Sequence, residues 1–162
     1  MYKIGIITAS DKGSRGERED ISGKTIEEMV KGIGEITEYL IVPDEERMLS
    51  AAMREMADTR GVDLILTTGG TGLSPRDVTP EATLSVIDKV VPGIAEAMRA
   101  ESMKKTSRAM LSRAVAGVRG RTLIINLPGS PKGVRECLEV VLPSLEHGLA
   151  IMTGRAAECG QK

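Results

Sequence analysis

Thr67-Thr68-Gly69-Gly70-Thr71-Gly72, running on through Leu73-Ser74-Pro75-Arg76-Asp77-Val78-Thr79-Pro80-Glu81, is the stretch around which the chain organises itself. The apolar run Val62 to Leu66 just before it has the length and β-branching of a buried strand. Three glycines within the four residues 69–72 strip side chains from the backbone at the strand's end, so a ligand could approach the amides closely. Downstream, Thr79-Pro80-Glu81 reads as a helix start, with Thr79 as N-cap, Pro80 at the first helical position and an acid in the first turn. A glycine-rich loop between a strand and a helix start suits an anion, because unpaired amides and the helix dipole converge there. The plainer reading is a tight turn in which Asp77 only closes an Asx turn, and from this stretch alone both readings stand.

Length and composition bound the rest. At 162 residues, 41% hydrophobic and 28% charged, the chain fits one domain with a sizeable core. No apolar run is long enough to span a membrane. Met1 to Ile7 enters a strand directly, without a secretory or transit pattern, so the expected location is the cytoplasm. A net charge of −1, no Trp or Phe, and only Tyr2 and Tyr39 to stack on bases argue against nucleic acid as a partner. Cys137 and Cys159 form no CxxC pair, which leaves a disulfide framework or zinc site without support. Cys137 falls in an apolar helical pattern and is expected in the core.

Strand-like and helix-like segments alternate, which argues for an α/β layered fold. The first strand, Lys3 to Thr8, leads into a polar loop from Ser10 to Gly16, beyond a strand's carboxyl end, where open α/β sheets bind ligands. Ser10 and Asp11 are therefore candidate ligand contacts, although an exposed loop with no ligand accounts for the same residues. A helix is predicted from Ser22 to Lys31, ended by Gly32 or Gly34, and a second strand from Glu38 to Val42. Leu49, Ala52, Met53, Met56 and Ala57 mark a helix up to Gly61, with the methionines as core packing. Asp44 reads either as that helix's N-cap or as a carboxylate at the mouth of the sheet edge that carries the glycine loop.

Beyond the loop, Ala82, Val86 and Ile87 continue a helix that Pro92-Gly93 breaks before a second one marked by Ile94, Ala97 and Met98. Ser102 to Arg113 is expected to be an irregular crossover near the ligand. Ala114 to Val118 and Thr122 to Leu127 flank Arg119-Gly120-Arg121 as in a hairpin, an antiparallel pair added to a mainly parallel sheet. Asn126 to Gly133 is another strand end running through Pro and Gly into a helix, and Pro143 is expected to restart that helix as a separate final one. His147, the only histidine, reads as a helix-surface residue. There is no GxxxxGK[ST] phosphate loop, no third glycine of a dinucleotide fingerprint and no GxSxG elbow.

Taken together, Ile41-Val42-Pro43-Asp44-Glu45, the 67–72 loop, Arg76-Asp77-Val78-Thr79-Pro80-Glu81-Ala82-Thr83, Ala109-Met110-Leu111-Ser112-Arg113 and Ile125-Asn126-Leu127-Pro128-Gly129-Ser130-Pro131 resemble the molybdopterin adenylyltransferase family. The pieces stand in family order and cover nearly the whole chain, a far more specific signal than an isolated Gly-Gly-Thr-Gly.

The resemblance implies a three-layer α/β/α sandwich over residues 1–154 with a short tail at 155–162, usually trimeric and sometimes hexameric. It implies transfer of AMP from ATP to molybdopterin with Mg²⁺, release of pyrophosphate, and transient contact with the molybdenum insertase that uses the product. Asp44 and Asp77 would be the acids needed for turnover, holding or orienting hydrated Mg²⁺. Thr68, Gly69, Gly70, Thr71, Gly72, Ser102, Ser112, Asn126, Pro128, Gly129 and Ser130 would bind the substrates, with Lys132 or Arg76 adding positive charge. The nucleophile is an ionised phosphate, so no histidine base is required. The competing expectations are a carrier that binds molybdopterin without adenylylating it, and a different enzyme of similar fold; intact Asp44 and Asp77 weigh against the carrier.

Overall fold

The computed structural model describes residues 1–156; Cys159 and most of the expected tail lie outside them. Six strands form one sheet in the order β2-β1-β3-β6-β5-β4, with β1 at Tyr2–Ala9, β2 at Gly34–Val42, β3 at Leu64–Thr68, β4 at Lys89–Val90, β5 at Ala116–Arg119 and β6 at Thr122–Leu127. β2, β1, β3 and β6 pair in parallel, whereas β5 runs antiparallel to both β6 and β4. The hairpin around Gly120 is thus as expected, and the two-residue strand β4 is an addition for which the sequence carries no separate signal.

Alternation along the strands assigns the layers. Ile4, Ile6, Leu64, Leu66, Leu123, Ile125 and Leu127 pack with α2 (Ile21–Val30), α5 (Pro92–Met103) and α6 (Pro131–Met152) on one face. Ile7, Ala9, Ile65 and Ile124 pack with α3 (Glu46–Arg54) and α4 (Thr79–Val86) on the other. Because both faces are covered, the central strands read as continuous apolar runs. Each side chain fully buried there contributes about 1.5–3 kcal/mol. Leu49, Met53 and Met56 are buried, as core methionines should be, and Cys137 is buried as well.

Several local expectations are corrected. The Ser10–Gly16 loop contains a short helix, α1 (Asp11–Ser14), because the Ser10 hydroxyl accepts the Gly13 amide at 2.9 Å. β2 begins at Gly34, so this glycine opens a strand and does not cap a helix. The α3 helix continues into a π-helical turn at Glu55–Thr59. Helix α4 stops at Val86, and α5 extends to Met103 before a 3₁₀ turn at Ser107–Leu111. Pro143 lies inside one continuous 22-residue α6; it forgoes one backbone bond, but the apolar stripe on both sides of it holds the helix on the sheet. His147 is exposed, as read. No helix among the described residues is long and apolar enough to cross a membrane.

Candidate functional site

At the carboxyl ends of β1, β3 and β6 the loops enclose two adjoining pockets. The first, of about 670 Å³, is lined by Ser10, Asp44, Thr68, Gly69, Gly70 and Asp77, with Gly129, Ser130 and the α2 entrance closing the far side. The second, of about 540 Å³, is lined by Thr71, Gly72, Ser102, Ser112, Pro128 and Lys132 among others. Ser130 lines both, and the glycine-rich backbone of residues 69–72 forms the ridge between them.

The ridge adopts its shape because glycine is there. Gly69 and Gly70 have φ of +91° and +70°, and a methyl group on Gly69 would sit 2.5 Å from the Ala9 carbonyl oxygen. On Gly72 the added carbon would lie 2.8 Å from an Asp77 carboxylate oxygen. Thr79 is not an N-cap: it is already helical, its hydroxyl donates to the Gly69 carbonyl at 2.9 Å, and its amide donates to the Gly70 carbonyl. That anchors the ridge to α4 from below.

Asp44 is not a cap either. Glu45 occupies that position without a side-chain bond, while Asp44 Oδ2 accepts the Asp11 amide at 3.0 Å and Asp11 Oδ1 accepts the Asp44 amide at 3.0 Å. Burial, reinforced by the negative charges of Asp11 and Asp77, pushes the Asp44 carboxyl above its ordinary pKa. Asp77 closes its own loop, accepting the Ser74 amide at 3.0 Å, and still lines the pocket. The turn role and the pocket position are therefore both present.

Three expected ligand contacts lie elsewhere. Asp11 lines neither pocket: Arg76 grips its carboxylate through Nε at 3.0 Å and Nη2 at 2.9 Å, which holds the Asp11 carboxyl below the usual range. Arg76, engaged in this way, lines neither pocket. Asn126 is fully buried; its amide donates to Thr67 and Thr83 at 3.0 and 2.9 Å, and its oxygen accepts the Val115 amide. It braces β6 against α4, because a polar side chain on the inward face of a central strand must find its partners inside.

The pockets have opposite electrostatic character. Around the first, Glu19, Asp20, Asp44 and Asp77 stand against the single cation Arg18. Around the second, Arg99, Lys105, Arg108 and Lys132 stand against Glu136. A polyphosphate would enter the acidic pocket only with a cation. Among the described residues no group of three or more His, Cys, Asp or Glu is placed to hold a metal ion by itself. Asp44, whose pKa is raised first by burial and then by the neighbouring carboxylates, and Asp77 beside it suit hydrated Mg²⁺ that completes its shell with phosphate oxygens.

Two residues escaped the sequence reading. Asp20 caps α2 through the Gly23 amide and accepts hydroxyl bonds from Thr8 and Tyr39; burial, then the Asp20 carboxylate, raises the Tyr39 pKa. An Asp two residues before the predicted start of that helix was the available signal. Arg113 donates from Nε to the Gly72 carbonyl and from Nη2 to the Asp77 carbonyl, both at 2.8 Å, and pairs with Glu81. Sequence offered only its place at the end of the Ala109 to Arg113 motif. The second loop is tied down by Thr68, whose hydroxyl donates to Pro128, and by Ser22, whose hydroxyl donates to Gly129.

Residues 5–147 match the family model described as "Probable molybdopterin binding domain". The molybdopterin adenylyltransferase of Helicobacter pylori strain J99 is 43% identical over 168 residues, covering 98% of this chain and 92% of that protein. The crystal structure of the molybdopterin biosynthesis enzyme MoaB from Thermus thermophilus superposes with a TM-score of 0.90 at 57% identity, covering 95% of this chain and 98% of that one. The tungsten cofactor synthesizing protein MoaB from Pyrococcus furiosus has a TM-score of 0.86 at 39% identity, over 94% and 97% of the respective chains. With the motifs in order, the mixed sheet shared and the likeness running almost end to end, this chain belongs to the molybdopterin-binding domain family.

Proposed function

We propose that this protein transfers the adenylyl group of ATP to molybdopterin, giving adenylylated molybdopterin and pyrophosphate. The observation that carries the reading is the approach of Asp44 and Asp77, from separate strand ends, to the glycine ridge where an acidic and a basic pocket meet. The names of the relatives, molybdopterin adenylyltransferases among them, support the same chemistry.

In this reading the basic pocket takes molybdopterin, its phosphate drawn by Lys105, Arg108 and Lys132, and the acidic pocket takes ATP with Mg²⁺. Asp44 and Asp77 would hold the Mg²⁺, which neutralises charge on the phosphates when bound. The molybdopterin phosphate oxygen bonds to the α-phosphorus over the ridge, the bond from that phosphorus to the β-phosphate oxygen breaks, and pyrophosphate leaves with the electron pair. The ridge amides stabilise the equatorial oxygens, and the pocket walls hold the two anions in line. No side chain needs to take a proton.

Residues 1–154 act here as one molybdopterin-binding domain of a cytoplasmic homotrimer, or of a hexamer built from it, that hands its product to a molybdenum insertase. Light scattering measures the assembly. Incubation with molybdopterin, ATP and Mg²⁺ tests the reaction: adenylylated product and stoichiometric pyrophosphate are expected, and binding of molybdopterin without either product would make the protein a carrier instead.

A further inference from the structure

We propose that Arg113 is a positioning residue that makes the two pockets communicate: occupation of the basic pocket orders, through Arg113, the loop that presents Asp77 in the acidic one. The inference rests on the assignment of molybdopterin to the basic pocket.

Two segments with little burial of their own face each other across this side chain. The 3₁₀ turn Ser107–Leu111 has no buried residue, yet Arg108, Ala109, Leu111 and the following Ser112 wall the basic pocket. On the other side, Leu73, Ser74, Pro75 and Arg76 are all exposed, and Asp77 follows them into the acidic pocket. Segments of this kind sit at the low end of local stability, so ordering one costs free energy that a ligand can supply.

Arg113 joins them at four points. Its amide donates to the Thr71 carbonyl at 2.9 Å, Nε and Nη2 take the Gly72 and Asp77 carbonyls, and Nη1 meets Glu81 on α4. Nη1 meets Glu81 at Oε1, while Oε2 is buried without a hydrogen-bond partner, so Arg113 is the only group that compensates this carboxylate among the described residues. On the opposite flank, Arg99 Nη1 holds the carbonyls of Ser112 and Ala114 at 3.3 and 2.8 Å, which fixes the residues on both sides of Arg113. A ligand that immobilises residues 108–112 therefore immobilises the guanidinium, and with it both ends of the 72–77 loop.

Hydrogen exchange on the full chain, with molybdopterin alone under anaerobic conditions, tests this. Ser74 and Asp77 bond to each other through their amides and line no part of the basic pocket, which makes those amides the reporters. In the unmodified protein molybdopterin is expected to slow their exchange at least about fivefold, the low end of ordinary coupling between sites. In Arg113→Gln the slowing should vanish while molybdopterin still binds within about threefold by calorimetry. Arg113→Lys, which keeps the charge near Glu81 but cannot span both carbonyls, should behave like Arg113→Gln and covers the case in which that variant does not fold. Both variants should lose kcat with the KM for molybdopterin nearly unchanged. Undiminished slowing in either folded variant, or none in the unmodified protein with molybdopterin bound, overturns the inference. Absence of any molybdopterin binding to the unmodified protein overturns the functional reading itself, and with it the coupling.

Discussion

Asp11 and Asp44 clasp each other through their backbones: each carboxylate accepts the other's amide, both at 3.0 Å, so that the loop after β1 and the loop after β2 are latched by a pair of acids. Arg76 neutralises Asp11 from outside and leaves Asp44 as the acid that faces the pocket. The pair is thus asymmetric, one acid structural and one available.

Asp44→Asn and Asp77→Asn keep an acceptor for the Asp11 and Ser74 amides but remove the charge. Each should lower AMP transfer by about 10²-fold or more, equivalent to about 2.7 kcal/mol of barrier. Molybdopterin binding, measured by calorimetry, should be retained, since neither acid lines the basic pocket. Full turnover in both would remove them from the mechanism.

The raised pKa of Asp44 fixes a sign for pH dependence. Because its folded pKa lies above its unfolded value, its contribution to stability is fully present below the unfolded pKa and is lost as pH rises through the folded one. Asp11 is opposite: its folded pKa is lowered by Arg76, so its contribution is present above the unfolded value and lost as pH falls through the folded one. Asp77→Asn removes one of the charges that raise Asp44 and should move the Asp44 titration, followed by carboxyl NMR, to lower pH. An unmoved midpoint would mean that the two acids do not sense each other.

Gly69→Ala forces a methyl toward the Ala9 carbonyl oxygen at a φ of +91°. A loss of about 1–3 kcal/mol in urea unfolding is expected, with transfer activity falling further than stability because the ridge amides move. Wild-type stability would show that the ridge can rearrange.

Asn126→Ala should cost about 2–4 kcal/mol, since it leaves the Val115 amide and the hydroxyls of Thr67 and Thr83 without this partner inside the protein. Below its melting temperature the variant should bind molybdopterin and ATP as the unmodified protein does. A ligand-specific defect in a stably folded Asn126→Ala would return this residue to the binding surface.

Much of the architecture was legible because strand and helix periods are local properties. The apolar runs before Gly69 and Pro128, the hairpin at Gly120 and the helical stripe from Val134 to Leu142 each announce their element within a few residues. Errors arose where tertiary packing overrode a local rule: Pro143 is carried through α6 by the core beneath it, and the short strand β4 exists only because β5 lies beside it.

The chain by itself determined which residue types stand at the strand ends: glycines that tolerate positive φ, two acids in ordered motifs, and a polar crossover from Ser102 to Arg113. Which of them face a pocket was decided only by the folded structure. Asp11 and Asp44 are chemically identical, as are Arg76 and Arg113, yet partners distant in sequence pair Asp11 with Arg76, leave Asp44 open to the acidic pocket and fix Arg113 beneath the ridge. Side-chain identity is written residue by residue, whereas burial, charge compensation and hydrogen-bond partnership are relations between segments and come into being only when the sheet brings them together.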